Sequence, residues 1–308
     1  MHSIEFRAMN CQMAAMIDAH SRQAEEALAQ VPRWFADWEQ CLSRFIADSE
    51  LNRINSINAK DTRDWTGVSD VMWDVLRAAD AASCWSDGLV TPLVGAAMCA
   101  AGYDRSFELM QTQPAIAGAA LYDIDLRALE LNATNQAVRL PPAAQLDLGG
   151  FAKSWAAEQA VASLQQFGPA LVDAGGDIAA SSRANDEAWP IGIAHPLDAE
   201  TTTSWVVNLK QGGIATSGRD YRRWRAAGEW QHHIIDARTG RPAVTDVLTA
   251  TVIAPDAMMA EVAAKVALIL GSADGLRWIE AHDDLAALLI LEDGEALPSI
   301  RLEEYLWQ

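Results

Sequence analysis

The sequence predicts an α+β fold. Runs with the alternating apolar pattern of strands and runs with the 3.6-residue apolar repeat of helices follow one another in mixed order. Half of the 308 residues are hydrophobic, ample for a substantial core, and no Pro/Ser-rich linker or repeat divides the chain. Length alone allows roughly two domains, but without a linker residues 1–308 read as one unit. Taken in order, Phe6 to Ala19 alternates as a strand, and His20 to Trp38 has the helical spacing of Ala24, Ala27, Leu28, Val31 and Phe35. Ser49 is placed to cap a short helix through Ile54, and Ser69 to cap another carrying Val71, Val75, Leu76 and Ala79. A helical middle follows. Leu121 to Leu140 reads as two or three short strands with Asn-rich turns, and Lys153 to Phe167 as an amphipathic helix. Strands are expected at Ala170 to Asp173, Trp189 to Ala194, Ser204 to Leu209, His233 to Ile235 and Val247 to Ala254. Helices over Asp256 to Leu270 and Ser272 to Ala281, and a strand over Ala286 to Leu291, complete the series.

Charge restricts the partners. A formal charge of −19 argues against nucleic acid, whose phosphates need an excess of Lys and Arg, and against an anionic membrane surface. No run approaches the roughly 18 apolar residues of a spanning helix. Met-His-Ser-Ile-Glu-Phe-Arg at the N-terminus lacks a basic region followed by an apolar one, so the chain as given is expected to be cytoplasmic. Cys11, Cys41, Cys84 and Cys99 show no metal-type spacing and read as buried thiols.

The stretch from Ala144 to Asp177 carries two glycine pairs around a helix: Leu146-Asp147-Leu148-Gly149-Gly150-Phe151-Ala152-Lys153, then Val172-Asp173-Ala174-Gly175-Gly176-Asp177. Backbone amides that approach closely at a helix N-terminus favour an anionic ligand, phosphate first. The plain alternative is a strand–turn–helix connection whose glycines only make tight turns. A second dense set lies at Ile214-Ala-Thr-Ser-Gly218 and His232-His-Ile-Ile-Asp236-Ala-Arg-Thr-Gly240. Thr216, Ser217, His233, Asp236 and Thr239 gather hydroxyl, imidazole and carboxylate groups at segment ends, where loops tend to build sites.

Together these stretches resemble the FAD:protein FMN transferase (ApbE) family. The matching pieces are Met9-Asn10-Cys11, Ser43 to Leu51, Ser86-Asp87-Gly88, Asp147 to Lys153, Asp173 to Asp177, Ala215 to Gly218 and His233 to Gly240, collinear from residue 6 to about residue 271. The resemblance implies two interleaved lobes of mixed sheet and helices with a nucleotide cleft between them. It also implies a Mg²⁺-dependent reaction: FAD is cut at its pyrophosphate, FMN is attached to a Thr or Ser of an acceptor flavoprotein, and AMP leaves. Such chemistry rests on positioning and charge neutralisation. Carried over by motif, FAD would contact Met9, Phe45 (stacking), Ser86, Asp87 and Gly88, Asp147, Gly149, Gly150, Lys153, Thr216, Ser217 and the backbone of Ile235. Lys153 has a plain reading as a solvated first-turn lysine, although that is an unfavourable end of a helix for a cation. His233 is the candidate proton shuttle, with Asp236 as its catalytic companion; a structural histidine is the alternative. His232 is expected to be an exposed neighbour.

One motif departs. Family members carry Ala-Asp-Ala-x-x-Thr, whose Asp and Thr hold the metal with a backbone carbonyl of the Gly-Gly turn, here Gly150. This chain has Ala260-Glu261-Val262-Ala263-Ala264-Lys265. Glu261 can ligate Mg²⁺, but an ammonium has no lone pair, so Lys265 is expected where the metal would sit. Asp173 also replaces the usual Asn, and Thr91 and Leu93 stand in for a common Asp and Thr. Three functions compete: FMN transfer, FAD binding without turnover, and FAD hydrolysis to FMN and AMP.

Overall fold

In the computed structural model, residues 1–59, 64–110, 128–198, 205–226 and 228–306 are described. The chain opens with β1 (His2–Ala8) and β2 (Cys11–Ile17), not the single strand expected. Met9 and Asn10 both take positive φ, 49° and 57°, and make the two-residue turn of an antiparallel hairpin. The predicted helix from His20 is likewise two, α1 (Arg22–Leu28) and α2 (Val31–Leu42). Pro32 separates them, because it has no N–H to give and its ring clashes with the carbonyl four residues back, that of Leu28. Ser49 and Ser69 cap α3 (Glu50–Asn58) and α4 (Asp70–Trp85), accepting the amides of Asn52 and Met72. Between them lies β3 (Thr66–Gly67), and after them α5 (Gly95–Ala100), α6 (Phe107–Met110), β4 (Glu130–Asn132) and β5 (Ala137–Arg139). The part of the Leu121–Leu140 expectation before residue 128 lies outside the described residues.

Next come α7 (Ala152–Leu164), β6 (Ala170–Ala174), β7 (Asp177–Ala180), β8 (Trp189–Ile193), β9 (Trp205–Leu209) and β10 (Gly212–Gly218). Ser204, the expected start of β9, lies outside the described residues. A second hairpin, β11 (Arg223–Ala226) with β12 (Glu229–His232), is followed by β13 (Ile235–Asp236) and β14 (Arg241–Pro242). Of the strand expected at His233–Ile235, only Ile235 lies in a strand, at the start of β13, and β12 ends at His232. The chain then runs through β15 (Val247–Ala254), α8 (Ala257–Leu270), α9 (Ser272–Glu280), β16 (Ala286–Leu291) and β17 (Ala296–Pro298). No helix among the described residues is long and apolar enough to cross a membrane. The four cysteines are free thiols; Cys84 and Cys99 are exposed rather than buried, on the solvent side of α4 and α5.

Two compact units share the chain: residues 1–36, 153–220 and 245–308 form one, residues 37–152 and 221–244 the other. The first is built on an eight-stranded antiparallel sheet, ordered β1-β2-β6-β7-β10-β15-β16-β17. Its central strand β15 is buried at all eight positions, and α8 packs on β10 and β15. One face of the sheet sends Ile214, Ile253, Leu288 and Ile290 into a core shared with Trp189, Ile191, Val207 and Leu209 of the β8–β9 hairpin. On the other face Gly213 meets the start of α8 so closely that a Cβ would lie 2.3 Å from Ala257 Cα, which only glycine tolerates.

Asp256 caps α8 by accepting the Met259 amide, and Glu158 of α7 accepts the Met258 amide at 2.7 Å. Burial, reinforced by the charge of Asp256, pushes the Glu158 carboxyl up to about 7, against the pull of that amide. Unfolded, Glu158 ionises near the ordinary glutamate value of 4.5, so between these two values the folded state holds the extra proton and stability declines as pH rises. Glu158→Gln keeps an oxygen for Met258 but cannot ionise. Between about pH 5 and pH 8 wild type should lose on the order of 2 kcal/mol relative to this variant in urea unfolding; parallel profiles for the two proteins would refute the assignment.

Candidate functional site

In the first unit the predicted residues converge on a buried set of charges carried by α7, the β6–β7 turn, β10 and α8. Gly175 and Gly176, with φ of 68° and 95°, form the two-residue turn between β6 and β7. The second glycine pair is thus a hairpin turn, and it delivers Asp177 into the core. Asp173 Oδ1 accepts the Gly176 amide at 2.7 Å and shapes the turn, while burial raises its pKa. Lys153, in the first turn of α7, donates to Asp177 Oδ2 at 2.7 Å, and Ser154 donates to the same oxygen at 3.0 Å. Asp177 Oδ1 is buried with no hydrogen-bond donor among the described residues. Lys153 is therefore not a solvated lysine. Burial opposes its charge, yet the carboxylates of Asp177 and then Glu261 outweigh it and hold its pKa above the ordinary range.

Thr216 and Ser217 lie within β10, not on the loop expected; the glycines at both ends of this strand mask its pattern. Thr216 shares a 2.8 Å hydroxyl contact with Thr251 of β15. Ser217 points the other way along the alternation and donates to Glu261 Oε2 at 3.1 Å. Glu261 and Lys265, one turn apart on α8, form a buried ion pair, and the Lys265 ammonium also reaches Ser217 Oγ at 3.5 Å. Burial first, then the negative field of Asp177, raises the Glu261 pKa, with Lys265 and Lys153 opposing. Two carboxylates and two ammoniums thus balance one another, and Met9 lies on the hairpin tip of the same unit.

The second unit holds the rest. Asp147 Oδ1 accepts the Gly149 amide at 2.7 Å, and Leu148 starts α7 by accepting the amides of Phe151 and Ala152. The Gly149 amide is already satisfied, so Asp147 and not a ligand anion receives it. A residue that sequence reasoning missed, Arg44, pairs with Asp147 at 2.7 Å, donates to the Tyr103 carbonyl, and lies over the Phe45 and Tyr103 rings at 4.3 and 4.5 Å. Its position between Ser43 and Phe45 of a singled-out motif was the available signal. Phe45 is partly exposed beside Tyr103, as a stacking surface requires.

Ser86 is buried and its hydroxyl is used within its own turn, by Ser83, Val90 and the Val90 amide. Asp87 and Gly88 take φ of 50° and 75° to end α4. Asp236 is buried and receives Arg238 in a two-pronged ion pair at 2.9 and 2.8 Å, beside Ile235 in β13. His232 is no idle neighbour: its ring contacts the Ala243 carbonyl at 3.0 Å and accepts the Ile234 amide. His233 is half-buried in the same segment.

A profile of the ApbE family matches residues 9–289. The chain belongs to the ApbE family. It is 30% identical to an FAD:protein FMN transferase of Salmonella typhimurium over 269 residues, 84% of this chain and 74% of that one. A second FAD:protein FMN transferase, from Klebsiella pneumoniae, is 27% identical over 290 residues, 91% and 81% of the two chains. Among solved structures, the ApbE protein of Thermotoga maritima superposes with a TM-score of 0.84 at 22% identity, covering 100% of this chain and 99% of that one. The flavin transferase ApbE of Vibrio cholerae gives 0.76 at 20% identity, covering 99% of each. The α+β fold is that of ApbE structures, and every motif singled out lies inside the matched residues.

Proposed function

We propose that this ApbE chain is an FAD:protein FMN transferase. The acceptor's Thr or Ser oxygen bonds to the FMN phosphorus, the pyrophosphate P–O bond breaks, and AMP leaves with the bridging oxygen. The observation that carries this reading is the family match over residues 9–289, with the charged cluster of Lys153, Asp177, Glu261 and Lys265 inside it. The hydroxyl proton needs a base. His233 suits the role better than Asp236, whose carboxylate is engaged by Arg238. On the FAD side the reading uses Phe45 with its neighbour Arg44 for stacking, and the backbone of Gly150 and Ile235.

A divalent cation does not fit the Glu261 donor set. Lys265 offers hydrogens and no lone pair, it engages the Glu261 carboxylate, and the cluster's charges already balance. Among the described residues no group of three or more His, Cys, Asp or Glu side chains is placed to hold a metal. In this reading the ammonium of Lys265 takes over charge neutralisation. FAD affinity measured by calorimetry should then change by less than about twofold between Mg²⁺ and EDTA; a large loss on chelation would contradict it. The same ion pair favours a second reading, FAD binding without turnover. Incubating the purified chain with FAD and a candidate acceptor decides between them: AMP with covalent FMN means transfer, AMP alone hydrolysis, neither product binding only.

A further inference from the structure

The β11–β12 hairpin is two-faced. Its register pairs Arg223 with His232, Trp224 with Gln231, Arg225 with Trp230 and Ala226 with Glu229. Trp224 and Ala226 turn into the core of the second unit, packing with Tyr103, Met98 and Ile235, and Trp224 donates to the Ala101 carbonyl at 2.8 Å. Strand alternation therefore sends Arg223 and Arg225 outward, and both are exposed. Across the strand Trp230 is 58% exposed, an expensive placement for the largest apolar ring, and both guanidinium carbons lie over it at 5.1 and 5.0 Å.

Among the described residues neither Arg223 nor Arg225 has a carboxylate within ion-pair distance, whereas most other arginines of this acidic chain do. The surrounding segment, residues 221–244, holds Arg222, Arg223, Arg225, Arg238 and Arg241 against Glu229 and Asp236, an excess of three positive charges where the whole chain carries −19. A basic, aromatic island in an acidic surface attracts a short anionic segment, while the surrounding charge repels a long polyanion. Arginine and tryptophan are also the side chains that dominate protein interfaces.

We propose that the Arg223–Trp230–Arg225 face docks an acidic segment of the acceptor protein; this rests on the transferase reading, and it names the partner's chemistry rather than the reaction's. The carboxylates of that segment pair with the two guanidiniums, and its backbone or an apolar side chain covers Trp230. Because Trp224 and Ala226 anchor the hairpin in the core and His232 ties it to Ala243 and Ile234, changes at Arg223, Arg225 and Trp230 leave the fold and the FAD site intact.

The test uses the full chain, a labelled synthetic peptide with one Thr flanked by aspartates, and the same peptide with asparagines. Fluorescence anisotropy should show the aspartate peptide binding, weakening with added salt, and binding the asparagine peptide and the Arg223→Glu/Arg225→Glu variant at least about tenfold more weakly. Trp230→Ala should weaken binding as well, with FAD affinity by calorimetry unchanged in both variants. Equal binding of the two peptides, unchanged affinity in the charge-reversed variant, or tighter binding of a short single-stranded oligonucleotide would each overturn the proposal. The two readings fail separately. A wild type that binds the aspartate peptide through these arginines but releases no AMP with any acceptor leaves the docking face and removes the transferase. FMN transfer to an acceptor protein that survives charge reversal does the opposite.

Discussion

Asp177→Ala is expected to destabilise the protein by about 3–5 kcal/mol, because it strands the Lys153 ammonium in the core. Asp177 is almost fully buried and receives both Lys153 and Ser154 on one oxygen. With the carboxylate gone, Glu261 is left to stabilise Lys153 from farther away. The lysine's pKa should fall, because the partner that counters its burial has been removed. Stability of the variant should then recover at higher pH, where the unfolded and folded states both prefer a neutral amine. Changing both partners, Asp177→Leu with Lys153→Met, should restore much of the loss, since an apolar pair leaves no charge to desolvate. Urea unfolding of the three proteins reads this directly. A single variant as stable as wild type would mean that the pair is solvated and holds nothing.

The second large effect is catalytic. Lys265→Thr combined with Glu261→Asp should raise Mg²⁺-dependent AMP release from FAD above the wild-type rate, because it rebuilds a carboxylate and a hydroxyl one turn apart on α8 in place of the ion pair. Lys265→Thr alone should be worse than either. It leaves Glu261 buried beside Asp177, so the carboxyl is pushed further up and takes a proton, and the variant loses about 3 kcal/mol as pH rises past the carboxylate range. If wild type already turns over FAD as fast as the double variant, restoring a ligand pair gains nothing and the expectation that Lys265 sits where a metal would is wrong.

Strands β15 and β16 and helices α8 and α9 were readable from the sequence almost to the residue. Their apolar runs are long, and Asp256 marks the start of α8. Ser49 and Ser69 were readable for the same local reason, since a cap acts on amides only a few residues away. The hairpin at Met9–Asn10 was not, because a methionine at positive φ follows no turn signature. Nor was β10, whose Gly212, Gly213 and Gly218 suggest a loop until the neighbouring strands β7 and β15 supply its hydrogen bonds.

The candidate site divides along the same line. The resemblance to the family's motifs, not composition or spacing, singled out Lys153, Ser217, Glu261 and Lys265 as candidates for one functional set. That Lys265 bonds to Glu261 followed from their helical spacing of four. What spacing could not reveal is that Asp177, 24 residues beyond Lys153, is that lysine's partner, or that Arg44 holds Asp147 and roofs Phe45 and Tyr103. Those pairings join segments far apart in the chain, and burial decides which charges must meet. Sequence alone determined the local elements, the charge balance and the family's motif order, all properties of neighbouring residues. Tertiary structure decided which charged groups share a desolvated space, because only packing removes the water that would otherwise make their identity immaterial.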